Sequence, residues 1–369
     1  MRVPLVDLAA QGAEIADEVL PRLRDALERG AFIGGPAVAG FEEEYAEYAG
    51  VRHCVGVGNG TDALELALRA TGVGPGDEVI LPANTFIATA EAVSRAGATP
   101  VPVDVDPDHL LIDPRAVAAA VTDRTAAIVP VHLFGQTAPV AELLPVAGTA
   151  GAVLIEDAAQ SQGASRAGRR AGTWGVASGT SFYPGKNLGA AGDAGAVLTD
   201  DPEVAGRVRV IADHGSPRKY VHEVVGLNSR LDAVQAIVLS AKLRRLEEWN
   251  DRRRAAADRY DELLAHVEGV RTPRRHPDNT DVWHLYVVQV EDRDRVLAEL
   301  VEQGIGAGVH YPTPVHLTPA YAHLGHAVGS FPVAEAAAAR ILSLPLHPHI
   351  TAEQQERVVT ELARVTSRP

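Results

Sequence analysis

Lysine occurs only at Lys186, Lys219 and Lys242, and arginine supplies the rest of the basic charge. Chemistry that needs a primary amine therefore has few places to sit. Lys186 lies in Ser181-Phe182-Tyr183-Pro184-Gly185-Lys186-Asn187-Leu188-Gly189, just past an expected strand, among small, apolar and aromatic residues. Desolvation disfavours an ammonium group, so an amine there should have a lowered pKa and suit Schiff-base chemistry. The plain alternative is a loop lysine with its head in water. Glu156-Asp157-Ala158-Ala159-Gln160 closes an apolar run. A carboxylate at the carboxyl end of a strand faces the crevice where open α/β sheets bind ligands. Asp157 could pair with a cationic ring nitrogen there, and Gln160 could reach a phenolic oxygen, or Asp157 could simply cap a turn. Gly56-Val57-Gly58-Asn59-Gly60-Thr61 stands between a strand and a helix. The backbone N–H groups of Gly60 and Thr61 could cradle one phosphate at the helix N-terminus, or Thr61 could serve as a plain N-cap. The segment is neither a dinucleotide fingerprint, whose third glycine would fall at Thr61, nor a P-loop.

A phosphate cradle, an acid for a pyridine nitrogen and an amine for an aldehyde together meet the needs of pyridoxal 5'-phosphate. The histidines suggest no metal. His310 and His316, or His347 and His349, lack the cysteine or carboxylate partners of a zinc site. Arg230 could meet a carboxylate or phosphate of a substrate, and His214, before Gly215, stays undecided between structure and substrate.

The elements that must position these groups alternate. Residues 1–50 read as helical, with Ile15, Val19, Leu20, Leu23 and Leu27 at helical spacing and Gly30 as a stop. Strands are expected at His53–Val57, Glu78–Leu81, Thr99–Val103, Ala126–Val131 and Ala152–Ile155, with helices around Asp62–Ala70, Phe86–Ala96, Pro114–Ala120 and Val140–Ala147. Strands separated by helices imply crossovers and a mostly parallel, doubly wound α/β sheet. Gly168–Thr173 reads as a turn. Gly179–Tyr183 and Gly195–Thr199 read as strands flanking the lysine loop. One long helical stretch, free of proline, is expected from Leu231 to about Val267, linking two domains. Beyond it come a strand at His284–Val290, a helix at Asp294–Gln303, a strand at Gly306–His310, and helices at Val333–Ile341 and Ala352–Val365. We expect a large cofactor-binding domain over 1–245 and a smaller α+β domain over 246–369. The chain's 369 residues exceed what one core usually supports.

Composition narrows the function further. Hydrophobic residues make up 46% and charged residues 22%, as in an ordinary globular protein. The net charge of -14 gives no basic footprint for nucleic acid or an anionic membrane. The single cysteine, Cys54, lies on an expected buried strand; it cannot form an internal disulfide and fits a reducing cytoplasm. Neither a signal peptide nor a membrane-spanning run is expected.

The ordered motifs resemble the DegT/DnrJ-type nucleotide-sugar aminotransferases, which are fold-type I pyridoxal phosphate enzymes. The motifs are Gly58-Asn59-Gly60-Thr61-Asp62-Ala63-Leu64, Pro82-Ala83-Asn84-Thr85-Phe86, Glu156 through Gln160, Ser181 through Leu188, Gly192-Asp193-Ala194-Gly195-Ala196 and Gly226 through Asp232. The resemblance runs from Val3 to the C-terminal helix. It implies that Lys186 holds the cofactor covalently and that Asp157 keeps the ring nitrogen protonated. It further implies that Gln160 meets the phenolic oxygen, that Gly60, Thr61 and Ser181 bind the phosphate, and that Phe86 stacks on the ring. Asn228 would reach the phosphate in the neighbouring subunit, making the site a property of a homodimer. Tyr183, His310, Tyr311 and His316 would lie toward the sugar, with Gly308 through Leu317 closing over it. Some relatives carry His in place of the lysine and dehydrate their substrates; Lys186 argues against that branch. The expected reaction moves an amino group from L-glutamate to C3 of a dTDP-linked keto-6-deoxyhexose, with pyridoxamine 5'-phosphate formed in turnover. Amination at C4 is the alternative. A regulatory or scaffold descendant of the fold is the non-enzymatic rival, and a nicotinamide dehydrogenase a third reading.

Overall fold

A computed structural model describes residues 2–367. The chain opens with helices α1 (Leu8–Arg29) and α2 (Pro36–Ala49) and then enters an alternating run. That run is β1 (His53–Val57), α3 (Gly60–Ala70), β2 (Glu78–Pro82), α4 (Ile87–Arg95), β3 (Thr99–Val103), α5 (Pro114–Ala120), β4 (Thr125–Ile128), α6 (Val140–Ala150) and β5 (Val153–Asp157). The short strands β6 (Ser165–Arg166) and β7 (Arg169–Arg170) precede β8 (Ala177–Ser181) and β9 (Gly195–Thr199). Helices α7 (Pro202–Ala212), α8 (Ala233–Leu243) and α9 (Leu246–Leu264) follow. The chain ends with β10 (Val270–Arg271), β11 (Asn279–Thr280), β12 (Tyr286–Val290), α10 (Arg293–Glu302), α11 (Pro332–Arg340), β13 (Ile341–Leu344) and α12 (Ala352–Thr366).

The main sheet has seven strands in the order β1-β9-β8-β5-β4-β2-β3. The β8–β5, β5–β4, β4–β2 and β2–β3 pairs are parallel, while β9 runs antiparallel to both β1 and β8. The antiparallel step has a local cause. A parallel return after β8 would require a crossover, whereas the lysine loop turns straight back. Sheet strands covered on both faces read as unbroken apolar runs, as in Val79-Ile80-Leu81 of the fully buried β2. Side-chain caps start several helices: Asp7 accepts from Ala10 N before α1, and Thr351 and Gln354 form a capping box before α12. Cys54 is buried on β1, among the apolar side chains of α2 and α8.

Three expectations about elements require correction. The helical stretch from Leu231 to Val267 is two helices, α8 and α9, interrupted at Arg244-Arg245. Helix α8 is buried almost all round, while α9 exposes a charged face. A straight rod could not serve both environments, and at the break Arg244 and Arg245 reach Glu18 of α1. The strand expected at Gly306–His310 is irregular, joined to its neighbour by one reciprocal pair of bonds between Gly308 and Ser343. That neighbour is β13, which begins at the residue where the helix at Val333–Ile341 was expected to end. Its register against β12 defines the small sheet β10-β12-β13. The turn at Gly168–Thr173 carries half of the short hairpin β6/β7.

Candidate active site

The carboxyl ends of β5 and β8 and the N-terminus of α3 converge. Asn59 caps α3 by accepting from Asp62 N at 2.8 Å, and Asp62 is held in turn by Ser229 Oγ at 2.7 Å and Arg95 at 2.9 Å. The opening N–H groups of a helix lack intrahelical acceptors and carry its positive dipole end, so those of Gly60 and Thr61 are free to meet an anion. Close packing builds the rest of the cup. A Cβ on Gly60 would come within 2.5 Å of Ser181 Cβ, and one on Gly195 within 2.5 Å of the Asn59 carbonyl carbon. Bare backbone thus brings Gly60, Thr61 and Ser181 together in a concavity that a side chain would fill, which fits a phosphate group.

Asp157 ends β5 and is buried. Its Oδ2 accepts from the Thr89 hydroxyl at 2.8 Å and its Oδ1 from Ala159 N at 3.1 Å. Burial pushes its pKa up, opposed by those two bonds and by the charge of Lys186. The preceding Glu156 is locked. It accepts from His132 Nε2, Gly172 N, Trp174 N and Gly175 N, all between 2.6 and 2.9 Å. Ala138 N donates to His132 Nδ1, which fixes the proton of a neutral ring on Nε2.

Lys186 lies in a tight loop, with its own N–H on Tyr183 O at 2.8 Å and Ala190 N on Phe182 O at 2.7 Å. Gly189 permits the turn, since a Cβ there would stand 2.2 Å from Pro184 O. Burial lowers the Lys186 amine to about 8, with Asp157 pulling the other way. Lys242 is also lowered to about 8, by burial alone, but it is on α8, away from Asp157; Lys219 is exposed against Tyr220. Amine and acid therefore face each other across the strand ends.

Around them lie groups from distant parts of the chain. Gln160 accepts from Phe134 N at 2.7 Å and donates to Tyr311 OH at 3.0 Å. Phe86, half exposed at the start of α4, has its ring 5.0 Å from that of Tyr311. His310 bonds Ser343 Oγ through Nδ1 at 2.8 Å, and burial lowers its pKa to about 4. His284, expected from the sequence only as the start of a strand and not as a site residue, joins the cluster. Burial and the neighbouring Lys186 hold it well below the usual imidazole range. Asn187, next to the lysine, donates to Asn250 Oδ1 and Val282 O at 2.8 Å each and turns its oxygen toward His284 Nδ1 at 3.3 Å.

The remaining expected residues are dispersed. Tyr183 is exposed beside the lysine loop. Asn228 and His214 are exposed on the segment following α7, and Arg230 pairs with Asp213 at 3.2 Å. His316 is buried, bonded to Glu335 at 3.0 Å and packed edge-on against Phe331, so its ring is engaged in local packing. Among the described residues, no three His, Cys, Asp or Glu side chains are grouped to hold a metal ion.

The family model for the DegT/DnrJ/EryC1/StrS aminotransferases matches residues 13–363. The erythromycin biosynthesis sensory transduction protein EryC1 of Saccharopolyspora erythraea is 49% identical, over 98% of this chain and 99% of its own. The dTDP-3-amino-3,4,6-trideoxy-alpha-D-glucose transaminase of Streptomyces venezuelae is 48% identical, over 97% of this chain and 94% of its own. The crystal structure of S. venezuelae DesV in complex with a ketimine intermediate superimposes with a TM-score of 0.97 at 47% identity, covering 100% of this chain and 99% of that one. NtdA of Bacillus subtilis with bound cofactor PMP gives 0.89 at 33% identity, covering 96% and 82%.

Proposed function

The chain belongs to the DegT/DnrJ/EryC1/StrS aminotransferase family, and we propose that it moves an amino group from L-glutamate to the C3 keto carbon of a dTDP-linked 6-deoxyhexose. The carrying observation is the half-buried Lys186 amine facing Asp157, beside the cup of Gly60, Thr61 and Ser181. A nucleotide-sugar aminotransferase fits it. The residues suit pyridoxal 5'-phosphate. Gly60, Thr61 and Ser181 would hold its phosphate, Asp157 its ring nitrogen, Gln160 its phenolic oxygen, Phe86 its face and Lys186 its aldehyde carbon. When bound, it supplies an electron sink for carbanion chemistry.

The protein's own part is proton handling and orientation. Lys186 Nζ, near pKa 8, is neutral often enough at working pH to take the α-proton of the amino donor, and afterwards returns a proton as acid. Asp157 would face the ring nitrogen of the bound cofactor and, as a carboxylate, would favour its protonated form. Tyr183, His310 and Tyr311 line the side where the sugar would lie. C3 is favoured by the 3-amino product in the name of the S. venezuelae transaminase. The regulatory name of EryC1 favours the rival reading, but a chain relieved of chemistry has no need of both Lys186 and Asp157.

We further propose a homodimer in which Asn228 completes the partner's phosphate cup, in keeping with exposed Tyr220, Val224 and Val225 on the same segment. The proposed domain boundary falls at 245/246, the start of α9, and the proposed location is the cytoplasm. The test offers matched dTDP-3-keto- and dTDP-4-keto-6-deoxyhexoses with glutamate and compares kcat/KM. Preference for the 3-keto sugar is expected. Preference for the 4-keto sugar would overturn C3 alone, and no amine transfer to either would overturn the substrate class.

A further inference from the structure

We propose that Thr89, with Thr85 behind it, is a positioning residue for Asp157, forming a hydroxyl relay from α4 that orients the carboxylate for its work. The inference rests on reading Asp157 as the partner of the pyridine nitrogen. Thr85 and Thr89 are 2% and 1% exposed, so water does not compete for their hydroxyls. Thr89 Oγ1 is 2.8 Å from Asp157 Oδ2 and 2.8 Å from Thr85 Oγ1. Each hydroxyl has one proton and an ionised carboxylate only accepts. The Thr89 proton therefore goes to Asp157, and the Thr85 proton to Thr89, which gives the chain a direction.

The relay supplies what the rest of the site lacks. The backbone of Asp157 is fixed by its N–H on Pro130 O and by His132 N on its carbonyl. Those bonds do not set the side-chain rotation. Of the other groups around the carboxylate, Lys186 comes from the loop after β8 and acts through its charge, while His132, from the segment after β4, and Tyr311, from the segment before α11, have their polar atoms engaged by Glu156, Ala138 and Gln160. Among the described residues, Thr89 and Ala159 N make the hydrogen bonds to it, one to each oxygen. A hydrogen bond to a charged, buried acceptor is among the stronger kinds, and losing it leaves the acceptor short of a partner. Phe86, the residue read as stacking on the ring, is the N-cap of helix α4. One helix thus aligns the group at the ring face and the group at the ring nitrogen.

The experiment compares T89V, T89S, T85V and D157N holoenzymes with wild type. It follows kcat, both KM values and the pH titration of the cofactor absorbance. Thr89→Val keeps shape and removes the hydroxyl. It should lower kcat about tenfold, ~1.4 kcal/mol of barrier, with each KM changed less than about twofold. Its absorbance titration should move in the same direction as that of D157N. T89S should restore both, and T85V should move both less. A merely structural role would lower Tm and leave the titration at its wild-type position. Wild-type rate and titration in T89V, with D157N impaired, would overturn the relay and leave the Asp157 reading standing. Wild-type behaviour in D157N would remove both. If T89V fails to fold, T85V decides by the same criteria.

Discussion

The lowered pKa of Lys186 makes the residue a burden on the cofactor-free fold, and that burden can be measured. Burial takes the amine from 10.5 to about 8, the attraction of Asp157 being already contained in that value. Between these two pH values the unfolded chain binds more protons than the folded one, so this group makes stability rise with pH across that window. Below about pH 8 the whole cost is present; above 10.5 it is gone. The drop corresponds to ~3 kcal/mol at neutral pH, each pKa unit being ~1.4 kcal/mol. Lys186 keeps some contact with water, so ~3 is a ceiling and ~1–2 kcal/mol the working expectation. Lys186→Met retains the aliphatic stem and removes the titration. The apo variant should be more stable than apo wild type by that amount at pH 7, with the gap falling below ~1 kcal/mol at pH 10. Urea unfolding followed by circular dichroism at several pH values between these limits would read it. Groups that do not interact with Lys186 cancel in the difference, and the coupled His284 and His310 are held below the usual imidazole range, outside the window from pH 8 to pH 10 in which the gap should close. The same variant should have no transaminase activity, placing a functional group among those retained at the expense of stability. A gap that is absent or negative at pH 7, or one that does not shrink toward pH 10, would refute the placement of this amine in a desolvating site.

Two further predictions probe the cup and the assembly. Gly60→Ala drives a methyl into Ser181 Cβ at 2.5 Å; the expected strain of ~1–3 kcal/mol should weaken pyridoxal phosphate binding by about fivefold to about a hundredfold, read by equilibrium dialysis, and unchanged affinity would place the phosphate elsewhere. Wild type should sediment as a dimer, and mixing a Lys186→Ala chain with an Asn228→Ala chain should give heterodimers with one intact site, hence more activity than either parent alone; a fully active monomer, or no gain on mixing, would count against the shared site.

What could be read directly from the residues was whatever depends on short stretches of chain. Gly58-Asn59-Gly60-Thr61 specifies a strand, a cap and an exposed helix N-terminus within a few residues, because Asn59 caps Asp62 N locally. The strands of the main sheet are legible for the same reason: burial on both faces leaves unbroken apolar runs bounded by turns. Lys186 announces itself through the composition of its loop. Where tertiary contact decides, the reading is poorer. The break between α8 and α9 carries no proline or glycine and follows from two different surroundings on either side of Arg244-Arg245. Strand β13 is hidden because Ile341-Leu342-Ser343-Leu344 continues the apolar spacing of α11, and only its pairing with β12 makes it a strand.

The site divides along the same line. Asp157, Gly60 and Ser181 sit at the ends of predictable elements, and Lys186 in the loop just past one. His284 reaches the lysine only because Asn187 is pinned between Asn250 and Val282, contacts spanning 63 and 95 residues of chain. Spacing within the sequence cannot reveal such a meeting. Thr89 is the intermediate case. A helix start that places Thr85 and Thr89 one turn apart beneath an aromatic cap leaves two hydroxyls on a face that should be apolar, and buried hydroxyls need partners. That was a usable signal, although it could say only that a polar group lay opposite. The fold supplies its identity, by ending β5 at Asp157 directly over α4. His316 shows the converse. Its place in Gly308 through Leu317 suggested a substrate contact, yet Glu335 lies within reach and takes the ring. A motif can therefore put a histidine near a crevice while packing decides whether the imidazole faces it.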